Sequence, residues 1–186
     1  FLKSVIASTD KPSANLNINT VDSKGNTLLI AACKGNQLEV AVWLINSGAD
    51  VTATNNDGLN AVHFLAENDG GNLLHDCLKA SPGLLNVQTV NEEGYTPLHI
   101  ACLNKSDDAA RKLLELGADA TITDNDGWNA VQCAAYKNCV RILDDLFNKF
   151  PNLLNSHAAN KYGHTPLHIA CQNASGDAAR KLLELG

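Results

Sequence analysis

A seven-residue segment occurs twice in this chain, and its recurrence limits the possible folds more than any other feature. Residues 96–102 read Thr-Pro-Leu-His-Ile-Ala-Cys, and the same seven residues return at 165–171, an offset of 69 positions. A fixed offset of this kind indicates stacked copies of one unit rather than a single centralised core. The same offset separates three sets of glycines. The first set is Gly25, Gly94 and Gly163, the second is Gly58 and Gly127, and the third is Gly48 and Gly117.

Glycines ahead of the copied segment divide the offset into two shorter periods. Gly25 to Gly58 is 33 residues and Gly58 to Gly94 is 36, and the same alternation is repeated further along the chain. Residues 1–21 are predicted to be the second helix and loop of a truncated unit, so the chain is interpreted as a fragment of a longer array. We predict full units at 22–54, 55–90, 91–123 and 124–159, and a truncated last unit at 160–186.

Each unit carries signals for two short helices. Thr96 can cap the first helix by accepting the backbone N–H of His99, and Pro97 suits the first helical position. His99 lies where the Glu or Gln of a capping box reaches back to the cap residue. Gly117 can end the second helix in the left-handed conformation. Equivalent caps are predicted at Thr27, Asn60 and Asn129, the last with Gln132 three residues later.

Composition narrows the classes of partner. Fourteen Lys and Arg against twenty Asp and Glu give a formal net charge of -6, which disfavours binding to nucleic acid. No apolar run approaches the roughly 18 residues of a membrane span, and no signal peptide is visible at the start of the sequence. We therefore expect neither nucleic acid nor membrane insertion, and a cytoplasmic location.

The six cysteines are predicted to be free, buried thiols. None forms a pair with two residues between its members, which disfavours a zinc site or a redox motif. Cys102 and Cys171 occupy the same position of the repeat, after the small residues of a first helix, and we expect both to be buried and unreactive.

Taken together, these features resemble the ankyrin repeat family. The matching residues are 96–99 and 165–168, at the head of a first helix, and Gly-Ala-Asp at 48–50 and 117–119, after a second helix. The resemblance implies an all-α solenoid of antiparallel helix pairs with projecting β-turn hairpins. The 36-residue units depart from the pattern, and we expect their three extra residues to lengthen the second helix or the loop after it.

The sequence predicts no catalytic, metal or cofactor site. His164 and His168 have the i, i+4 spacing of zinc ligands on a helix. However, His168 is explained by the cap of its helix, and no third ligand follows it. We therefore expect a chain that is not an enzyme and binds no cofactor.

The candidate site is a surface for another protein or peptide. In the ankyrin family, partners are usually held by the hairpin tips and the exposed face of the first helices. The residue before each cap needs no large apolar group, yet it is Tyr95 or Trp128 in two adjacent units. Acidic residues nearby predict a partner with basic as well as apolar residues. The predicted partner-binding residues are Leu59, Glu92, Glu93, Tyr95, Leu103, Asp126, Trp128, Tyr136, Lys137, Tyr162 and His164.

Three other interpretations fit the same sequence. Tyr95 and Trp128 could each lie against the next hairpin and serve stacking alone, because single exposed apolar residues are normal. The array could be a regulatory or targeting segment of a larger enzyme, channel or effector protein and contact its own chain. It could also be a spacer that binds nothing.

Overall fold

The computed structural model describes residues 17–153, 160 and 162–185. Within those residues the chain forms ten short α-helices and no β-strand. Two 3₁₀ helices lie at Pro82–Asn86 and Pro151–Leu153. The helices are α1 (Leu28–Lys34), α2 (Leu38–Asn46), α3 (Ala61–Glu67), α4 (Gly71–Ala80), α5 (Pro97–Asn104), α6 (Asp107–Glu115), α7 (Ala130–Tyr136), α8 (Val140–Lys149), α9 (Pro166–Gln172) and α10 (Gly176–Leu185).

The helices are arranged as five successive pairs, which we call layers 1 to 5. Each odd-numbered helix packs against the even-numbered helix that follows it and against the odd-numbered helix of the next layer. The even-numbered helices form a second row in the same way. This stacking confirms the predicted all-α solenoid. The helix predicted in residues 1–8 lies outside the described residues.

Side-chain caps begin every odd-numbered helix, as predicted. Thr96 Oγ1 accepts the His99 N–H at 3.4 Å, and the Thr96 N–H donates to His99 Nδ1 at 3.3 Å, so the capping box is complete. Asn129 and Gln132 form the same box at α7. The other caps are Thr27, Asn60 and Thr165, and Asn60 forms its box with His63.

The third residue of these helices also joins one layer to the next. His99 Nε2 lies 2.9 Å from the carbonyl oxygen of Trp128, and Gln132 Nε2 donates to the carbonyl of His164 at 2.8 Å. His63 Nε2 lies 3.3 Å from the carbonyl of Val87. Because Nδ1 of each histidine accepts a backbone N–H, its Nε2 carries the proton and donates. One side chain therefore caps its own helix and fastens the following layer.

Small residues let the layers approach closely. Ala109 and Ala110 of α6 are fully buried, and a Cβ added to Gly71 of α4 would lie 2.9 Å from the carbonyl oxygen of Asp108. Interiors pack at crystal-like density, so this interface has no room for a larger side chain at Gly71. Leucines of both rows fill the remaining space, as expected for a chain poor in aromatic residues.

Five cysteines are buried, but the prediction for Cys171 is wrong. Cys33, Cys77, Cys102, Cys133 and Cys139 are buried, whereas Cys171 is exposed. Cys102 is covered by layer 4, and Cys171 has the equivalent place in layer 5, where no further layer of the described residues covers it. Burial of the other thiols depends on the neighbouring layer and not on the helix that carries them.

The hairpin tips of layers 2, 3 and 4 each pack against a glycine of the preceding hairpin. Gly25 has φ +77°, and a Cβ there would lie 2.5 Å from Asn56 Oδ1 of the next hairpin. Asn125 lies against Gly94 in the same way, and Val90 takes this place against Gly58. Glycine is therefore required at these positions both by the left-handed backbone and by the close approach of the next tip.

We expected the three extra residues of the long unit at 55–90 to lengthen its second helix or the loop after it. The structure corrects this expectation, because some of the extra residues lie in the hairpin. The ordinary hairpins close over four residues, as when the Asn55 N–H donates to the carbonyl of Leu59, whereas Thr89 bonds across six residues to Tyr95. The tip at 89–95 is therefore two residues longer than its neighbours. In the other long unit, Asn160 Oδ1 accepts the His164 N–H over the ordinary four residues. Local sequence did not distinguish the two cases.

Candidate protein-interaction surface

The residue before each cap is held by its backbone, so its side chain has a fixed direction. Asp124 Oδ1 accepts the Trp128 N–H at 2.8 Å, and the Trp128 carbonyl accepts both the Asp124 N–H and His99 Nε2. Asn55 Oδ1 holds the Leu59 N–H at 2.9 Å, and Thr89 Oγ1 holds the Tyr95 N–H at 2.9 Å. Asx-type turns thus present one side chain per layer at the same height.

Trp128, Tyr136 and Lys137 form a cluster at layer 4. The rings of Trp128 and Tyr136 meet edge to face, with centroids 5.7 Å apart and planes at 83°. Lys137 Nζ lies 5.3 Å from the centre of the Tyr136 ring. Tyr136 is 39% exposed although it is large and apolar. The structure therefore brings together three predicted residues from both ends of α7.

Four predicted apolar residues have a structural role as well. Leu59, Tyr95 and Trp128 are half-buried and pack against the core, and Leu103 does the same from the end of α5. The Tyr95 ring stacks on His99 of its own layer, with centroids 6.2 Å apart. Sequence analysis left open a stacking role for Tyr95 and Trp128, and both side chains do pack against the core.

Acidic residues crowd the hairpin tips. Glu92, Glu93 and Asp126 are exposed at the tips of layers 3 and 4. Burial raises the pKa of the Tyr95 hydroxyl, and the charges of Asp124, Glu93 and Asp126 raise it further. The negative potential of the tips therefore reaches the aromatic residues beneath them.

At layer 5, Tyr162, His164 and His168 stack in a row. The rings of Tyr162 and His164 are 5.7 Å apart, and those of His164 and His168 are 6.1 Å apart. His168 Nδ1 lies 2.7 Å from Thr165 Oγ1, the hydroxyl that accepts the His168 N–H. In the described part of the chain, no group of three or more His, Cys, Asp or Glu side chains is arranged to hold a metal ion.

Val90 is a candidate that sequence reasoning missed. It lies in the enlarged tip of layer 3 and is 81% exposed, although one side of it covers Gly58. A β-branched apolar residue beside the acidic tip residues was the only available signal, and it is equally typical of a buried strand. The enlarged hairpin is what leaves Val90 exposed.

Burial shifts the pKa values of several titratable side chains of the core. Burial lowers the pKa of His63 to about 4, and burial also lowers the pKa of His99. Burial raises the pKa of Cys33 and Cys77 to about 12, so both remain protonated thiols at neutral pH. These four side chains are accounted for by packing and by hydrogen bonds between layers.

Two family models match the sequence. One describes ankyrin repeats in many copies and matches residues 13–65 and 83–134, and the other describes three ankyrin repeats and matches residues 116–186. The chain belongs to the ankyrin repeat family. Ankyrin repeats are generally modules of protein interaction and are typically not catalytic. No helix among the described residues is long and apolar enough to cross a membrane.

Ankyrin-containing relatives belong to several kinds of larger protein. The chain is 28% identical over 180 residues to human transient receptor potential cation channel subfamily A member 1, covering 94% of this chain and 16% of that protein. It is 32% identical over 154 residues to mouse ankyrin repeat and SOCS box protein 16, covering 79% of this chain and 32% of that protein. It is 31% identical over 122 residues to the Hydra vulgaris tyrosine-protein kinase HTK16, covering 66% of this chain and 16% of that protein. The chain thus spans less than a third of each of these relatives.

Proposed function

We propose that this ankyrin array is a non-enzymatic, cytoplasmic scaffold that binds a segment of another protein through its hairpin tips and first helices. The observation that carries the proposal is the pair Trp128 and Tyr136, whose rings meet at 83° while Tyr136 stays 39% exposed. Aromatic side chains of this kind dominate the energetic centres of protein interfaces. We call the surface formed by Tyr95, Leu103, Trp128, Tyr136 and Lys137 the groove.

Two features support the groove as a binding surface. The backbone of Trp128 is fixed on both sides by hydrogen bonds, so little backbone freedom remains to be lost there on binding. Tyr136 packs against Trp128 and lies beneath Lys137 Nζ, yet 39% of it stays exposed to a partner. The acidic tips suggest that the bound segment carries Lys or Arg beside its apolar residue.

The test begins with peptides selected from a random display library on the wild-type array. Trp128→Leu combined with Tyr136→Ala should weaken binding of a selected, fluorescein-labelled peptide by about 30-fold or more, the cost of one interface hot spot. Leucine is chosen because Leu59 occupies the place of Trp128 in layer 2 and packs against the core there. Alanine at Trp128 would also remove core contacts and mix stability with affinity.

Val42→Ala is the matched control, since Val42 of α2 is 40% exposed in the other row of helices. It should leave peptide affinity unchanged, and circular dichroism should show equal helicity for all variants. Peptides that bind the Trp128→Leu, Tyr136→Ala variant as tightly as wild type would place the site elsewhere. If the array is a spacer that binds nothing, the display selection should enrich no peptide.

A second candidate function is regulation within a larger protein, where the groove contacts its own chain. The alignment with the channel favours it, because 94% of this chain is matched by 16% of that protein. Cross-linking mass spectrometry of the full reading frame would test it. Cross-links from Lys137 to other parts of the same chain should be lost in Tyr136→Ala, and links only to other proteins would refute it.

A further inference from the structure

Opposite charges lie on the two sides of the groove in layers 3 and 4. The hairpin side carries Glu92 and Glu93, both exposed. The other side carries Lys105 and Lys137, which are the C-cap residues of α5 and α7. α5 has eight residues, so about 12 Å separates its two ends at 1.5 Å per residue. The aromatic residues lie between the two charged sides.

The two charged sides do not neutralise each other. Lys105 and Lys137 form no ion pair among the residues that the structure describes. Asp107, the carboxylate nearest to Lys105 along the chain, lies 3.5 Å from Arg141 Nη1. Lys137 Nζ lies over the Tyr136 ring, which places its charge beside the aromatic residues.

A purely structural explanation covers only part of this pattern. Lysine at a helix C-terminus stabilises the helix by interacting with its partial negative charge. The C-caps of α1, α3 and α9 are Gly35, Asn68 and Asn173, although Lys34 is the last residue of α1. Lys24 breaks the acidic row at the tip of layer 1. Among the described residues, acidic tips and lysine C-caps occur together in layers 3 and 4, which carry Tyr95, Trp128 and Tyr136.

We propose that the groove binds its segment in one orientation, with a basic side chain toward Glu92 and Glu93 and an acidic side chain toward Lys105 and Lys137. The partner is therefore a protein segment in which an apolar anchor separates a Lys or Arg from an Asp or Glu. An extended chain needs about four residues to span the roughly 12 Å of α5, and Glu92 and Glu93 lie ahead of that helix, so at least four residues separate the two charges of the segment. This inference rests on the proposed function of the groove.

The experiment compares two display selections from one random peptide library. Wild type should enrich peptides with an apolar residue between a basic and an acidic residue. The second bait carries Glu92→Lys, Glu93→Lys, Lys105→Glu and Lys137→Glu, and it should enrich peptides that bind in the opposite orientation. Each peptide should lose about tenfold in affinity on the other array, since exposed charge pairs contribute roughly 0.2–1 kcal/mol each.

Single-side variants then identify which charge meets which side. Replacing the basic residue of the peptide with alanine should weaken binding to the wild-type array, but should have little effect on binding to the Glu92→Lys, Glu93→Lys variant. Replacing the acidic residue of the peptide should likewise weaken binding to wild type but have little effect on the Lys105→Glu, Lys137→Glu variant. Asp76→Lys with Lys79→Glu, on the exposed face of α4, is the matched control and should change nothing.

The outcomes separate the two proposals. Peptides that require Trp128 and Tyr136 but show no charge order, or that couple to the opposite sides, would overturn the orientation and leave the groove intact. Peptides that bind without Trp128 and Tyr136 would overturn both.

Discussion

Replacing His63 with glutamine should keep the array folded at neutral pH and remove part of its sensitivity to acid. His63 completes the cap of α3 through Nδ1, and through Nε2 it contacts the carbonyl of Val87, in the segment that leads into the hairpin of layer 3. Gln132 performs both tasks at the equivalent position of α7, accepting through Oε1 and donating through Nε2. The chain itself therefore shows that glutamine fits this position.

The expected magnitude follows from the pKa of His63. Burial lowers that pKa to about 4, against roughly 6.5 in an unfolded chain, so the unfolded state takes up the proton first as pH falls. The stability that depends on a neutral His63 is complete well above pH 6.5 and is lost as pH falls toward 4. Linkage gives a loss of about 2 kcal/mol between pH 7.5 and pH 5.

Urea unfolding at pH 7.5 and pH 5 would measure this loss. With a slope of about 2 kcal/mol per molar urea, His63→Gln should shrink the difference between the two midpoints by about 1 M. At pH 7.5 the free energy of unfolding of the variant should lie within about 1 kcal/mol of that of wild type, because glutamine keeps one hydrogen bond to the cap residue and one to the Val87 carbonyl. Midpoints are compared because unfolding of repeat arrays is not always two-state.

His75→Gln is the matched control, since His75 is exposed on α4 and should leave the difference unchanged. If His63→Gln lowers both midpoints equally, protonation of His63 is not what weakens the array in acid. If it unfolds the array at pH 7.5, glutamine does not reproduce the two contacts, and the equivalence with Gln132 is wrong.

Three further results are expected. Gly58→Ala should cost about 1–3 kcal/mol more in thermal or urea unfolding than Gly163→Ala. Both have positive φ, but only at Gly58 would the new Cβ meet Val90, 2.8 Å from its backbone nitrogen, and equal costs would contradict the tip-on-glycine contact. Under native conditions a thiol reagent should label Cys171 rapidly and Cys102 only on unfolding, and Cys171→Ser should abolish the rapid phase. In a Trp43→Phe background, a selected peptide should change the Trp128 fluorescence, and no change would argue against binding in the groove.

Much of the fold could be read from short sequence patterns. Caps at Thr27, Asn60, Thr96 and Asn129 were predictable because a cap depends on groups at most three residues away. The two helices of each layer were predictable for the same reason. The 69-residue offset then indicated that the layers stack on one another. The link from His99 to the Trp128 carbonyl was not predictable, because its partner is 29 residues distant and depends on how the layers align.

The candidate surface was predicted less completely. Sequence reasoning placed Tyr136 and Lys137 around Trp128, and the structure adds the contact between the two rings and the contact of Lys137 with Tyr136. It missed Val90, whose exposure depends on two extra residues in one hairpin.

The sequence by itself determined the repeating layer, since helix starts and stops are set by contacts along a few residues of chain. Tertiary structure decided which side chains remain at the surface. Cys102 and Cys171 lie in identical heptapeptides, yet only Cys102 is covered, because burial is supplied by the neighbouring layer. The physical reason is that hydrogen bonds of a cap are local, whereas removal of surface from water depends on whatever packs against it.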